Sequence, residues 1–269
     1  MSSFKIVSRR SEERGNADHE WLKTFHTFSF AMYQDNEHSH FGHLRVLNED
    51  RVQPHTGFGT HGHREFEIFS YVVKGELEHR DSMGNVEVLK RGDVQMTSAG
   101  TGIRHSEKAH GEKQVHFLQI WATPNRNNLP PQYYTRHFTD EEKSNKWVHV
   151  VAPVTADGVS DKRDATGPAP VHAPVSVFAT ILSPGSSLSH TIPKPFLGNS
   201  SKAFIHVIQT SGYNPGQASG GQISLSGDKA PATELREGDG AYMTAPPGTE
   251  LTVTNTGDTN VEMLLFDVE

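Results

Sequence analysis

Two short patterns in the first half of the chain carry side chains that bind metal ions. His61 and His63 stand one residue apart just before the apolar run 67–73, and His105 and Glu107 repeat that spacing after the turn 98–102. Because strand side chains alternate between faces, each pair projects from one face of its strand. If the two strands are neighbours, three imidazoles and one carboxylate converge. By the same alternation, we expect Glu65 and Glu67 on the face of His61 and His63.

Three neutral nitrogens and one carboxylate oxygen suit a divalent transition-metal ion. A six-coordinate ion held in this way keeps two positions open, which favours catalysis over a structural role. The chain has no cysteine, so thiolate ligands, iron–sulfur clusters and disulfides are excluded. We expect one Fe2+ per chain. Copper and nickel bind such ligands more tightly, so the ligand set alone leaves other divalent transition metals open.

A further histidine-rich stretch offers a weaker candidate. His38, His40 and His43 lie close together in a chain that contains 17 histidines. No carboxylate or second histidine pair follows them at a matching spacing. We therefore expect a solvated loop there and one metal site in the chain.

Short runs rich in Val, Ile, Phe and Tyr recur between turn signals and predict an all-β fold, a sandwich or a barrel. They occupy 43–47, 67–73, 86–89, 115–121 and 175–182. The sequence around Ser82, Met83 and Gly84 predicts a β-hairpin. Short helices are expected at 17–25 and at 139–147, the second with Thr139 as its N-cap.

One sequence motif occurs twice and predicts two copies of one β-domain. Residues 90–100 and 236–246 both read as a basic residue, a variable one, Gly-Asp, a strand and a turn. We expect an N-terminal metal-binding domain at 1–140, a connecting segment at 141–174 and a C-terminal domain at 175–269. In the second copy Leu251 and Val253 replace His105 and Glu107, and the counterpart of the His-x-His strand keeps only His190, so that domain is expected to lack a metal site.

Composition limits the classes of partner. The formal charge is −7, with 25 Lys and Arg against 32 Asp and Glu, so no nucleic-acid contact is expected. The sequence shows neither a secretory signal nor an apolar stretch of membrane-spanning length, so no membrane association is expected. We expect a monomeric, cytoplasmic protein.

Three stretches resemble the pirin family of the cupin superfamily: HTFSFAMY at 26–33, THGHREFEIFSYVVKGELEHRDSMGN at 60–85 and GDVQMTSAGTGIRHSE at 92–107. The resemblance implies a bicupin of two antiparallel β-sandwich, jelly-roll domains. It also implies that the metal ligands are His61, His63, His105 and Glu107. Glu67, a ligand in many other cupins, would then not bind the ion itself but would help to orient the residues that do.

The resemblance implies two alternative functions. Several pirin-like proteins are similar to quercetin 2,3-dioxygenases, which open flavonols with O2 and release CO. Nuclear pirins instead imply a non-enzymatic, iron-dependent redox-sensing regulator that binds a transcription-factor partner, with a nuclear as well as cytoplasmic location. Ser8-Arg9-Arg10 is too short to predict nuclear entry.

For the dioxygenase, a base must take the 3-hydroxyl proton of the flavonol. Glu107 is our candidate catalytic residue, with Glu67 or Glu65 acting through water as alternatives. Several aromatic and apolar residues could line a pocket for a planar substrate, although core packing is the commoner role for such residues. They are Phe58, Phe66, Met96, Phe117 and Trp121.

Overall fold

The computed structural model describes residues 4–195, 201–227 and 230–269. They form two compact units. The site unit consists of Gly15–Phe138 and Val150–Pro174. The second unit consists of the described residues within Met1–Arg14, Thr139–His149 and Val175–Glu269.

Strands dominate both units, because β-branched and aromatic residues alternate with polar ones along short runs. Their bounds in chain order are β1 (Lys5–Arg9), β2 (Gly15–Asp18), β3 (Leu22–His26), β4 (Leu44–Val52), β5 (Gly57–His63), β6 (Glu67–Lys74), β7 (Glu76–Asp81), β8 (Val86–Lys90), β9 (Asp93–Ser98), β10 (Ile103–Ala109), β11 (Val115–Ala122), β12 (Gln132–His137), β13 (Val148–Pro153), β14 (Ala169–Val171), β15 (Val175–Leu182), β16 (Ser187–Thr191), β17 (Ser201–Val207), β18 (Ser219–Gly227), β19 (Ala230–Glu237), β20 (Gly240–Ala245), β21 (Glu250–Asn255) and β22 (Val261–Val268). The described helices are short: α1 spans Asp140–Lys143, and two single 3-10 turns span Ser11–Glu13 and Asn36–His38.

In the site unit, the larger sheet has the order β12-β9-β6-β11-β4-β3-β2 and the smaller one the order β5-β10-β7-β8. Buried side chains of both sheets, such as Val72 and Phe117 from the larger and Leu77 and Leu89 from the smaller, form one apolar cluster. Burying these two faces against each other stabilises the sandwich. The metal-site residues lie on the smaller sheet.

The second unit repeats this plan with the sheet orders β1-β20-β17-β22-β15 and β16-β21-β18-β19. Its core is apolar and includes Ile205, Met243 and Leu265. Leu251 and Val253, which replace His105 and Glu107 in the repeat, are fully buried in this cluster. The position of the metal residues is therefore filled by hydrophobic packing.

The structure confirms the all-β prediction and the hairpin, in which β7 pairs with β8 around the turn at Ser82. The helix expected at 17–25 is wrong, because the end of β2, a turn and most of β3 lie there, and the two strands form an antiparallel pair. The second helix is only one turn long, but Thr139 caps it as predicted and accepts a hydrogen bond from the Glu142 backbone N–H.

The unit boundaries differ in two places from the expected 1–140, 141–174 and 175–269. Residues 4–14 belong to the second unit, where β1 pairs with β20. Residues 150–174, expected as a connecting segment, belong to the site unit, where the parallel pair of Val151 with Ala169 joins β13 to β14. The strands in residues 150–174 are too short to show the two-residue alternation of a β-strand, and the Pro, Gly and Asp residues around them are typical of a linker.

Candidate metal centre

The predicted ligands lie on two hydrogen-bonded strands. β5 and β10 are antiparallel neighbours, with Ile103 opposite His63 and His105 opposite His61. After His105 a β-bulge shifts the register, so that Glu107 lies opposite Phe58. The adjacency expected from the two same-face pairs is therefore present.

A glycine keeps these two strands in close contact. A Cβ on Gly57 would lie 2.2 Å from the backbone oxygen of Glu107 and 2.5 Å from the Cα of Lys108. No real Cβ contact is that short, so a larger residue would force the strands apart. Gly57 thereby fixes the strand spacing on which the site depends.

The structure brings three histidines together. The ring centroids of His61, His63 and His105 are 4.6–4.8 Å apart, and their ligand nitrogens lie within 4.8 Å of one another. His61 Nδ1 donates a hydrogen bond to the Gly59 carbonyl at 2.7 Å, which leaves Nε2 with a lone pair. This Nε2 lies 3.2 Å from His105 Nε2.

This arrangement fits a metal ion. Two nitrogens that ligate one ion at about 2.1 Å with a right angle between them are about 3 Å apart, close to the observed separation of the two Nε2 atoms. Burial lowers the pKa of His63 to about 4, with further lowering by His105 and His61, and burial also lowers the pKa of His105. These imidazoles are therefore neutral at pH 7, which is the form that binds metals.

Glu107 lies beside the three histidines, but the ligand atoms of all four residues do not lie within 4.8 Å of one another. It forms a second group with His105 and His79, so His105 belongs to both. Glu107 is buried, and its Oε2 accepts a hydrogen bond of 2.7 Å from Gln119 Nε2 while its Oε1 accepts one of 3.3 Å from Ser70. Some movement of these side chains is therefore needed before all four residues can hold one ion.

The site opens into a cavity of about 480 Å3 in the site unit, lined by His61, His63 and Glu107. That volume suits a small organic ligand. The aromatic residues that line it are Trp21, Phe30, Phe58 and Trp121. Of the walls expected from the sequence, Phe58 and Trp121 are present, whereas Met96 and Phe117 are buried core residues outside the lining. Phe66 packs against Trp121 but does not itself line the cavity.

Polar side chains of the larger sheet form another part of the lining. Thr24 donates a hydrogen bond to Asp50, and His26 Nδ1 lies 2.9 Å from Asn48 Oδ1. Burial, with repulsion from Glu107, raises the pKa of Asp50 from 3.8 to about 7, although the Thr24 hydrogen bond opposes this. The cavity thus contains a second carboxyl group that can exchange a proton near neutral pH.

The structure separates the two alternative bases from the cavity. β5 ends at His63, and Glu65 has a positive φ of 56°, so the expected alternation through Glu65 to Glu67 is wrong. Glu65 accepts hydrogen bonds from the Asn128 backbone N–H. Glu67 lies on β6 in the other sheet, and accepts hydrogen bonds from Ser98 at 2.6 Å and from the His172 backbone N–H at 3.0 Å. Neither lines the cavity.

Sequence reasoning missed two residues here. His79 lies opposite Glu107 on β7, and Asp50 lies on β4. The alternation of His79 with Asp81 was the available signal, but nothing local indicated that β7 would pair with β10. Asp50 is one of a buried polar run from Asn48 to Arg51 inside a strand, which is unusual enough to have been noticed.

The weaker candidates remain apart from the site. His40 Nδ1 bonds to the Gly42 carbonyl and His43 Nδ1 to the Thr123 carbonyl, and none of the histidine-rich stretch belongs to a potential metal group among the described residues. In the second unit His190 lies opposite Leu251, as His61 lies opposite His105. Its Nε2 bonds to both carboxylate oxygens of Asp267 at 3.0 Å.

The fold and the histidine cluster define a cupin-type β-sandwich protein with a candidate metal centre in one unit. A family model for pirin matches residues 7–122. A pirin-like protein of Caulobacter vibrioides is 37% identical over 190 residues, which cover 70% of this chain and 78% of the relative. The chain therefore belongs to the pirin family.

Two further comparisons bear on the site. The quercetin 2,3-dioxygenase of Escherichia coli K12 is 48% identical over 134 residues, which are 49% of this chain and 58% of that relative, so the match spans little more than half of its length. The crystal structure of the bacterial pirin YhhW from Escherichia coli in complex with nickel(II) has a TM-score of 0.78 and 32% identity, and covers 98% of this chain and 99% of that one. Among the described residues, no helix is long and apolar enough to cross a membrane.

Proposed function

We propose that this protein is a metal-dependent dioxygenase that opens flavonols such as quercetin with O2 and releases CO. The observation that carries the proposal is the cluster of three imidazoles, with Glu107 beside it, open to a cavity with aromatic walls. The quercetin 2,3-dioxygenase name of the Escherichia coli relative supports the substrate class. The nickel(II) complex of YhhW supports a divalent ion in the family.

His61, His63, His105 and Glu107 would hold the ion, with Fe2+ as the proposed metal. When bound, the ion supplies an electrophilic centre for the flavonol oxygens and for O2. Trp121 and Phe58 would flank the planar substrate, since both line the cavity. Burial excludes water from Glu107 and so strengthens its interactions with a bound ligand.

Glu107 would take the proton of the 3-hydroxyl group. Its carboxyl oxygens accept hydrogen bonds from Gln119 and Ser70, which hold the group in place. Asp50, in the same cavity and with a pKa raised to about 7 by burial, is a second proton acceptor that the sequence did not indicate. Glu65 and Glu67 are less suited, because their oxygens are engaged outside the cavity.

The test is turnover by protein loaded separately with Fe2+ and Ni2+. We expect loss of quercetin absorbance with release of CO, and no turnover by His63→Ala or Glu107→Ala. His40→Ala, which alters an exposed histidine outside the site, serves as the matched control and retains activity. Activity that survives both site substitutions would overturn the proposal.

Elemental analysis of protein purified without added metal identifies the ion. The transcription-factor regulator and a nuclear location stay predictions from the sequence. Pull-downs with ferrous and ferric protein test the regulator, because a redox sensor must retain different partners in the two states.

A further inference from the structure

Two buried residues on the neighbouring strand stand beside two of the proposed ligands. In the β7–β10 pair, Asp81 lies opposite His105 and His79 lies opposite Glu107. Opposed residues of an antiparallel pair project to the same face, as do residues two apart. All four side chains therefore share one face. His79, His105 and Glu107 are at most 2% exposed, and the Asp81 side chain is fully buried.

His79 is held firmly in this arrangement. Its Nε2 lies 3.2 Å from Asp81 Oδ2, and the Tyr133 ring packs against it with a centroid distance of 4.9 Å. Asp81 also accepts hydrogen bonds from Asn85 Nδ2 and from the Met83 backbone N–H. Burial alone would raise the pKa of Asp81, but the hydrogen bonds from Asn85 and His79 lower it. Asp81 is thus a carboxylate, and His79 Nε2–H donates to it.

The second nitrogens of His79 and His105 are complementary. When Nε2 of His79 carries the only proton on its ring, Nδ1 is an acceptor. Because His105 Nε2 faces His61, the Nδ1 of His105 is a donor when Nε2 binds an ion. Both Nδ1 atoms are buried and have no hydrogen-bond partner among the described residues. Leaving a buried hydrogen-bonding atom without a partner is unfavourable, so a partner for each is expected.

The rings of His79 and His105 are close neighbours. The ring centroids of His79 and His105 are 5.3 Å apart, and ligand atoms of both rings and of Glu107 lie within 4.8 Å of one another. Polar atoms separated by more than a direct hydrogen bond are commonly bridged by one water molecule.

We propose that His79, anchored by Asp81, is a positioning residue of the metal centre: through one bridging water it accepts the hydrogen bond of His105 Nδ1–H. This inference rests on the proposed metal centre. The Asp81–His79–His105 chain fixes the tautomer of His105 and makes its Nε2 a stronger donor to the ion. Outer partners of metal-bound histidines act in this way in general, and their loss weakens metal binding about 10–100-fold.

The experiment compares metal binding by the full-length protein and three variants. His79→Leu removes both nitrogens, whereas the amide of His79→Asn can replace Nδ1. The matched control is His190→Leu, which breaks a similar histidine–carboxylate pair in the second unit. Nickel dissociation constants are measured by competition with a chelator, and the visible absorption of the cobalt(II) protein reports the geometry around the ion.

We expect His79→Leu to bind nickel about 10–100-fold more weakly and to shift the cobalt(II) spectrum. His79→Asn should recover most of the affinity, and His190→Leu should match the wild type. Unchanged affinity and spectrum in His79→Leu would overturn the inference. So would two nickel ions per wild-type chain with only one in His79→Leu, since His79 would then be a ligand of a second ion.

If His79→Leu does not fold, Asp81→Asn replaces it. That variant keeps the side-chain volume and an acceptor for His79 but removes the charge, so we expect weaker nickel binding, and an unchanged affinity would overturn the inference. Failure of the wild type to bind nickel would instead overturn the metal centre itself, and the inference with it.

Discussion

The buried carboxyl group of Asp50 makes a quantitative prediction about stability and pH in the metal-free protein. Burial raises its pKa from 3.8 to about 7, and the folded chain therefore binds this proton more tightly than the unfolded chain does. The resulting stabilisation is fully present below pH 3.8 and is lost as the pH rises to about 7. Asp50→Asn removes this titration and keeps an oxygen that can accept the Thr24 hydrogen bond.

The magnitude follows from the shift. One pKa unit corresponds to 1.36 kcal/mol, so the wild type should lose about 3 kcal/mol of unfolding free energy between pH 5 and pH 8 through this group alone. The free-energy difference between Asp50→Asn and the wild type should change by the same amount, in favour of the variant at higher pH. A bound cation would favour the carboxylate, so the effect belongs to metal-free protein.

Urea unfolding at several pH values, in the presence of a chelator, measures this difference. Tryptophan fluorescence reports mainly on the site unit, because Trp21 and Trp121 lie in it whereas Trp147 lies in the second unit. Asp157→Asn is the control, since Asp157 is an exposed residue of the same unit. Parallel pH profiles for the wild type and Asp50→Asn would refute the reasoning, because they would show that Asp50 titrates alike in the folded and unfolded chains.

Three further substitutions have defined outcomes. Gly57→Ala should push β5 away from β10, weaken nickel binding at least about tenfold and lower the unfolding free energy by about 1–3 kcal/mol. Gly62→Ala is the control and should have none of these effects, because its Cβ would meet nothing closer than 3.7 Å. Equal nickel titrations for the two variants would contradict this. In the proposed flavonol reaction, Gln119→Leu should lower kcat/KM about tenfold or more in steady-state kinetics, because it removes a hydrogen bond to a carboxylate worth about 1.5–3 kcal/mol. An unchanged value would exclude a role of Gln119 in holding Glu107. Leu251→His should lower the unfolding free energy by about 1–3 kcal/mol without creating a nickel site. The control, Leu251→Met, should lower it by less than about 1.5 kcal/mol. Equal losses in urea unfolding would show that this position is not part of a packed apolar core.

Local pattern was enough to predict the proximity of the histidines. The two-residue spacing of His61 with His63, and of His105 with Glu107, determines the face on which each side chain lies, and the turn at 98–102 brings the second strand back. The sequence also showed that the second copy has lost the polar residues of the site, and the structure places their replacements, Leu251 and Val253, in its apolar core. Period-two alternation is reliable where a strand is continuous.

The failures occurred where pairing or backbone geometry is set from a distance. A positive φ at Glu65 interrupts the alternation and moves Glu67 to the other sheet, and no residue type in that stretch signals the break. His79 was missed because its position beside Glu107 depends on which strands pair, a property of the whole sandwich. The short strands of residues 150–174 show no periodicity, so their composition resembled a linker.

The chain passes between the two units several times, and this has a consequence for synthesis on the ribosome. The site unit lacks β14, and the His172 backbone N–H that binds Glu67, until residue 174 has been translated. β1 must wait still longer, because its partner β20 spans Gly240–Ala245. A nascent chain released near residue 140 would therefore expose an unpaired first strand and an incomplete β-sandwich, which makes early termination a route to aggregation rather than to a folded site unit.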